Sequence, residues 1–130
     1  MKKFAFVVLV AFAGVPLSAQ SATKATGEQI DEITLAYLNA KVYARGAVVC
    51  NAAVVNSRSY IGCANSSLDG RSLTQLWLLD QNGTRPRYLA VNGTARGTYD
   101  RHFSANRNFG AMPLPLSRDV AIDAALNAVK

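Results

Sequence analysis

The sequence predicts an α+β domain: an N-terminal helix, an antiparallel sheet of about five strands (a hairpin plus a meander), and a C-terminal helix. Three observations predict it. A capped amphipathic segment follows Thr26. Turn steps at Asn56-Ser57, Asn82-Gly83 and Asn92-Gly93 separate runs rich in Val, Ile, Tyr and Leu. An apolar stripe of small residues closes the chain. This order places helices on one face of a twisted sheet.

The chain has 130 residues, a net charge of +6 and a pI near 9.7; half the residues are hydrophobic and 17% are charged. That balance supports one globular domain and excludes a disordered chain. The first nineteen residues read as a signal peptide of bacterial type. Lys2 and Lys3 precede an apolar run from Phe4 to Ala13, Gly14 and Pro16 break it, and Leu17-Ser18-Ala19 offers a cleavage site. The run is far shorter than the roughly 20 residues a membrane span needs. Cleavage after Ala19 leaves residues 20–130 as one exported domain, periplasmic or secreted, with no transmembrane segment. Losing Lys2 and Lys3 still leaves twelve basic side chains against eight acidic ones.

Thr26 is a good N-cap, and Gln29, three residues on, completes a capping box. Glu28, Asp31 and Glu32 favour the positive end of the helix dipole. Ile30, Ile33, Tyr37, Ala40 and Ala44 form one stripe, and Gly46 is a natural stop. A helix is expected from about Gly27 to Arg45.

Ala47 to Val55 and Arg58 to Ala64 form a hairpin pattern about Asn56-Ser57. A two-residue turn there puts Cys50 opposite Cys63, in the non-hydrogen-bonded pair where strands lie closest. The two cysteines of an exported chain are expected to form a disulfide. A zinc site needs more ligands than two Cys and the single His102 provide, and no Cys-x-x-Cys redox pair is present. No cofactor is implied.

Leu73 to Asp80 is apolar on both faces and reads as a central strand. Arg87 to Val91 and Thr94 to Tyr99 follow the two Asn-Gly steps as meander strands. Strict two-residue turns pair Trp77 with Tyr88, Tyr88 with Gly97, Asp80 with Arg85, and Arg85 with Asp100. Pro86 conflicts with this count, because it would remove a ladder N–H from a middle strand; a longer or bulged turn relieves the conflict. Asp100 to Pro115 reads as a surface loop. Ser117 is expected to cap a final helix carrying Val120, Ala121, Ala124, Ala125 and Val129 on its apolar stripe.

Two function classes remain. Arg85, Arg87, Arg96, Arg101 and Arg107 crowd one stretch, interleaved with Tyr88 and Phe103. Arginine with aromatic residues suits recognition of carboxylates and phosphates. The leading expectation is therefore a non-enzymatic binding module for an anionic envelope component or an acidic protein, nucleic acid being excluded by export. The alternative is a small hydrolase using His102 with Asp100 or Ser104. Closeness in sequence does not make a triad, and no nucleophile-elbow motif is present.

Overall fold

The computed structural model describes residues 22–130; the expected signal peptide lies outside the described residues. Helix α1 (Gly27–Asn39) opens the fold. Strands β1 (Ala47–Val55), β2 (Arg58–Ser67), β3 (Gly70–Arg71) and β4 (Gln75–Leu79) follow, then β5 (Tyr88–Ala90), helix α2 (Gly93–Thr98), a π-helical turn (Tyr99–Phe103), β6 (Phe109–Ala111) and helix α3 (Ile122–Ala128). The architecture is α+β, with the sheet order β1-β2-β4-β5-β6 and the short β3 paired to the end of β2.

The capping box at α1 forms as expected: Thr26 Oγ1 accepts from Gln29 N, and Gln29 Oε1 accepts from Thr26 N. The helix ends at Asn39, six residues before the expected end at Arg45. Lys41 takes a left-handed φ of 54°, Lys41 N donates to the Leu38 carbonyl, and Val42 N donates to the Tyr37 carbonyl. This is a Schellman ending with lysine where glycine usually stands. Val42 then packs against the core that holds Tyr37, which offsets the strain of the left-handed lysine.

The hairpin register matches the sequence reading, and β2 runs three residues past the expected Ala64, to Ser67. Asn56 and Ser57 both take positive φ, as a type I′ turn requires, and Val55 faces Arg58, Ala53 faces Tyr60, and Cys50 faces Cys63. Cys50 and Cys63 are disulfide-bonded, with their Cα atoms 4.1 Å apart.

The helices cover opposite faces of the sheet rather than one. Ile61, Trp77, Leu79, Tyr88 and Ala90 point to the side of Ile33 and Tyr37 in α1. Tyr60, Leu76, Leu78 and Val91 point to the side of Ala125 and Val129 in α3. This two-sided burial is why β4 lacks a polar face: all five of its residues are buried. On the α1 side, Tyr37 donates to Gln75 Oε1 and accepts from Trp77 Nε1 at 2.8 Å, so the polar atoms of Tyr37 and Trp77 are paired within the core.

The meander is not built. Of the two Asn-Gly steps, only Asn82-Gly83 joins adjacent antiparallel strands, through a loop that spans residues 80–87. Tyr88 faces Leu79, and Ala90 faces Trp77. The register is shifted by two from the expected one, so each side chain keeps its face. Pro86, after a cis peptide bond, sits in this loop before β5 begins and leaves the ladder intact. Its ring lies against Gly110, where an added Cβ would come within 2.6 Å of Pro86 Cγ. The second Asn-Gly step starts α2. The chain crosses over through α2 and the π-helical turn, and β6 returns parallel to β5, making the sheet mixed. Strand pairs of Tyr88 with Gly97 and of Arg85 with Asp100 therefore do not exist. The final helix starts at Ile122, not Ser117, and Asp119 is drawn instead into a 2.7 Å ion pair with Arg58.

Candidate functional site

The sheet register sorts the arginines. One row across the sheet runs Tyr60, Leu78, Leu89 and Gly110. Two residues nearer the Asn56-Ser57 turn, Arg58, Asp80, Arg87 and Asn108 line up, and the last three are joined by Asp80 N to the Arg87 carbonyl at 2.8 Å and Arg87 N to the Asn108 carbonyl at 2.9 Å. Arg85 and Arg107 lie just beyond this row, in the loops that enter β5 and β6. The parallel pairing of β5 with β6 is what puts both entrances at one end.

Three acids at this end are engaged. Glu32 Oε1 accepts from Arg87 Nη1 at 3.0 Å, and Asp119 Oδ2 accepts from Arg58 Nε at 2.7 Å. Hydrogen bonds from Arg58, then from Ser117, hold the Asp119 carboxyl below its usual range. Asp80 is occupied by its own loop, accepting from Asn82 N and Thr84 Oγ1. Among the described residues, Arg85, Arg107 and Arg118 are exposed and form no ion pair.

An open groove of about 680 Å³ runs beside the row, lined among others by Arg58, Ser59, Asp80, Gln81 and Asn82. Ser59 is buried and its hydroxyl has no hydrogen-bond partner among the described residues. Gln81 clamps the start of the described chain there, with Nε2 donating to the Thr23 carbonyl at 2.7 Å and Oε1 accepting from Thr23 N at 3.1 Å. A smaller cleft of about 390 Å³ separates Arg87 and Glu32 from Thr26 and Glu28.

The other expected partner-binding residues lie elsewhere. Arg96 is spent on the fold: its Nη2 donates to the Met112 carbonyl at 2.9 Å and its Nε to the Val91 carbonyl at 3.3 Å, beyond the opposite end of β5. Arg101 is exposed and folds back over Gly97. Tyr88 and Phe103 are core residues, 0% and 2% exposed, and Phe103 stacks on Phe109 with ring centroids 4.0 Å apart. Neither ring offers a surface. Tyr88 contributes only its hydroxyl, which donates to Glu32 beneath Arg87.

Asp100, His102 and Ser104 do not alternate along a strand. Asp100 and His102 belong to the π-helical turn and Ser104 ends it. All three are exposed, no hydrogen bond links any two of them, and none borders the grooves described above. Among the described residues, no group of three or more His, Cys, Asp or Glu side chains could hold a metal ion, and no helix is long and apolar enough to cross a membrane.

Arg58 and Glu32 were not singled out by the sequence pattern. Arg58 directly follows the hairpin turn, which pairs it with Val55; its row with Asp80 comes from the β2–β4 register, which no turn or spacing in the sequence marks. Glu32 had an adequate local role near the start of α1, and nothing local points from it to a residue 55 positions away.

Comparison with protein-family models, curated proteins and solved structures gives no match for this chain.

Proposed function

We propose that the protein is an exported, non-enzymatic binding module that meets an anionic envelope component or an acidic protein with the arginine-bearing end of its sheet. One observation carries the reading: Arg85 and Arg107 enter neighbouring parallel strands at the same end, exposed and, among the described residues, without ion-pair partners, while Glu32, Asp80 and Asp119 are already engaged. Bidentate guanidinium groups held on strand entrances suit carboxylates and phosphates. The disulfide and the N-terminal Lys-Lys-apolar-small pattern support export.

The test compares two charge-matched pairs. Arg85→Ala with Arg107→Ala removes the cations of this end; Arg45→Ala with Arg71→Ala removes two exposed arginines from the opposite end. The probes are phosphatidylglycerol vesicles, with phosphatidylcholine vesicles as the neutral control, and polyglutamate. The first pair should weaken anionic binding by about 10–30-fold at low salt, and the second should leave it within about twofold. Equal losses in both pairs, or no binding of the unaltered protein to either anionic probe, would overturn the reading.

A further inference from the structure

The chain carries two Asn-Gly steps with identical local chemistry and opposite surroundings. At such a step the Gly backbone nitrogen can attack the Asn side-chain carbonyl carbon. The new C–N bond closes a succinimide, ammonia leaves, and water opens the ring to aspartate or isoaspartate. Glycine favours this because it lacks a Cβ to obstruct the approach.

Asn92 cannot take part without dismantling its surroundings. Its Nδ2 donates to the Thr74 carbonyl at 2.9 Å, and its Oδ1 accepts from Leu76 N at 3.0 Å and Ala95 N at 3.1 Å. Gly93 is fixed as the first residue of α2. Asn82 stands free. It is exposed, its side chain and the Gly83 amide make no hydrogen bond among the described residues, and Gly83 has a φ of 82° with open space where a Cβ would stand. The loop is held by Asp80, which accepts from Asn82 N and Thr84 Oγ1, and by the Gln81 side chain on Thr23; neither engages the Asn82 side chain.

We propose that Asn82 is a site of spontaneous intramolecular deamidation, and that the fold protects Asn92 from the same reaction. The product adds a carboxylate three residues before Arg85, on the loop that enters β5. Its effect on anion binding rests on the function proposed above; the modification itself does not.

Trypsin separates the two sites. Ser72 to Arg87 holds Asn82, since the Arg85–Pro86 bond resists cleavage, and Tyr88 to Arg96 holds Asn92. Folded protein is aged in mildly alkaline buffer, and both peptides are followed by mass and by isoaspartate labelling. Four hydrogen bonds of the Asn92 side chain, from Leu76 N, Thr94 Oγ1 and Ala95 N and to the Thr74 carbonyl, hold it against reaction, each a several-fold penalty, so the Asn82 peptide should convert about 30-fold faster or more. In urea the two rates should converge. Equal rates in the folded protein, faster conversion at Asn92, or an inert Asn82 over a period in which the urea-treated chain reacts at both sites would each overturn the inference. The peptide ratio needs no binding partner, so its failure and the failure of vesicle binding are read independently.

Discussion

The Tyr88 hydroxyl donates to Glu32 Oε1 at 2.5 Å, and that same oxygen accepts from Arg87 Nη1 at 3.0 Å. The phenol is thus buried against a carboxylate, and both burial and Glu32 push its pKa well above the ordinary 10.0. Burial likewise raises Tyr37, Tyr43 and Tyr60. In the unfolded chain these phenols ionise near pH 10. Above that pH the unfolded state has released protons that the folded state still binds. Their contribution to stability is therefore complete below about pH 10 and is lost as pH rises toward the folded values. The free energy of urea unfolding should be flat up to about pH 9.5 and fall steeply above pH 10. Tyr88→Phe should start about 1 kcal/mol lower at pH 8 and show a shallower alkaline decline. Tyrosinate absorbance from all four phenols near pH 10 in the folded protein would contradict this.

Cys50 and Cys63 tie the edge strand β1 to β2 across thirteen sequence positions. By the chain-entropy argument, a loop of this size contributes about 3 kcal/mol. Native protein should show no alkylatable thiol, and its mass after alkylation should rise only if reductant is added first. Reduction, or a Cys50→Ser with Cys63→Ser pair, should lower urea stability by about 2–4 kcal/mol. Two freely alkylated thiols in unreduced protein would refute the bond.

These two sites differ in how far the sequence exposed them. The hairpin was legible because two independent signals, the turn at Asn56-Ser57 and the cysteine spacing, demanded one register. The end of α1 was hidden. A left-handed C′ position is normally marked by glycine, and here Lys41 fills it, held by Val42 against Tyr37. Asn92-Gly93 was ambiguous in principle, since asparagine suits both a tight turn and a helix cap. What decides it is Thr74 and Leu76, which are remote in sequence. The arginine cluster was legible as a density and not as a surface. Arg87 and Arg96 flank β5 and so emerge at opposite ends of the sheet, a separation that linear spacing cannot show. The parallel return of β6, which brings Arg107 beside Arg85, follows from the crossover that Asn92 starts.

Asn92 therefore has a structural weight that Asn82 lacks. Asn92→Ala removes the cap on α2 and leaves Leu76 N without its acceptor beside the buried β4. The cost should be about 2–4 kcal/mol, combining a lost cap with an orphaned buried donor. Asn82→Ala should stay within about 0.5 kcal/mol, as for other exposed positions without side-chain partners. Chemical denaturation of the two variants side by side checks the contrast. Similar losses in both would mean that the hydrogen bonds of Asn92 do not hold the β4–α2 junction.

Gly62 on β2 lets α3 approach the sheet. An added Cβ would come within 2.3 Å of Val129 Cγ2 and 2.9 Å of Thr74 Cγ2. Val129 is fully buried at the end of α3, and its carbonyl accepts from Asn51 Nδ2 at 3.0 Å. Gly62→Ala should thus cost about 1–3 kcal/mol by overpacking. Val129→Ala alone should cost a similar amount by leaving a cavity, since it removes two methyl groups from a closed core. Together the two changes remove the 2.3 Å approach to Val129 Cγ2 and leave only the 2.9 Å approaches to Val129 Cβ and Thr74 Cγ2. The double variant should be more stable than the sum of the single effects by about 1 kcal/mol or more, the signature of residues in direct contact. Strict additivity in a double-mutant cycle of urea unfolding would show that α3 does not rest on Gly62.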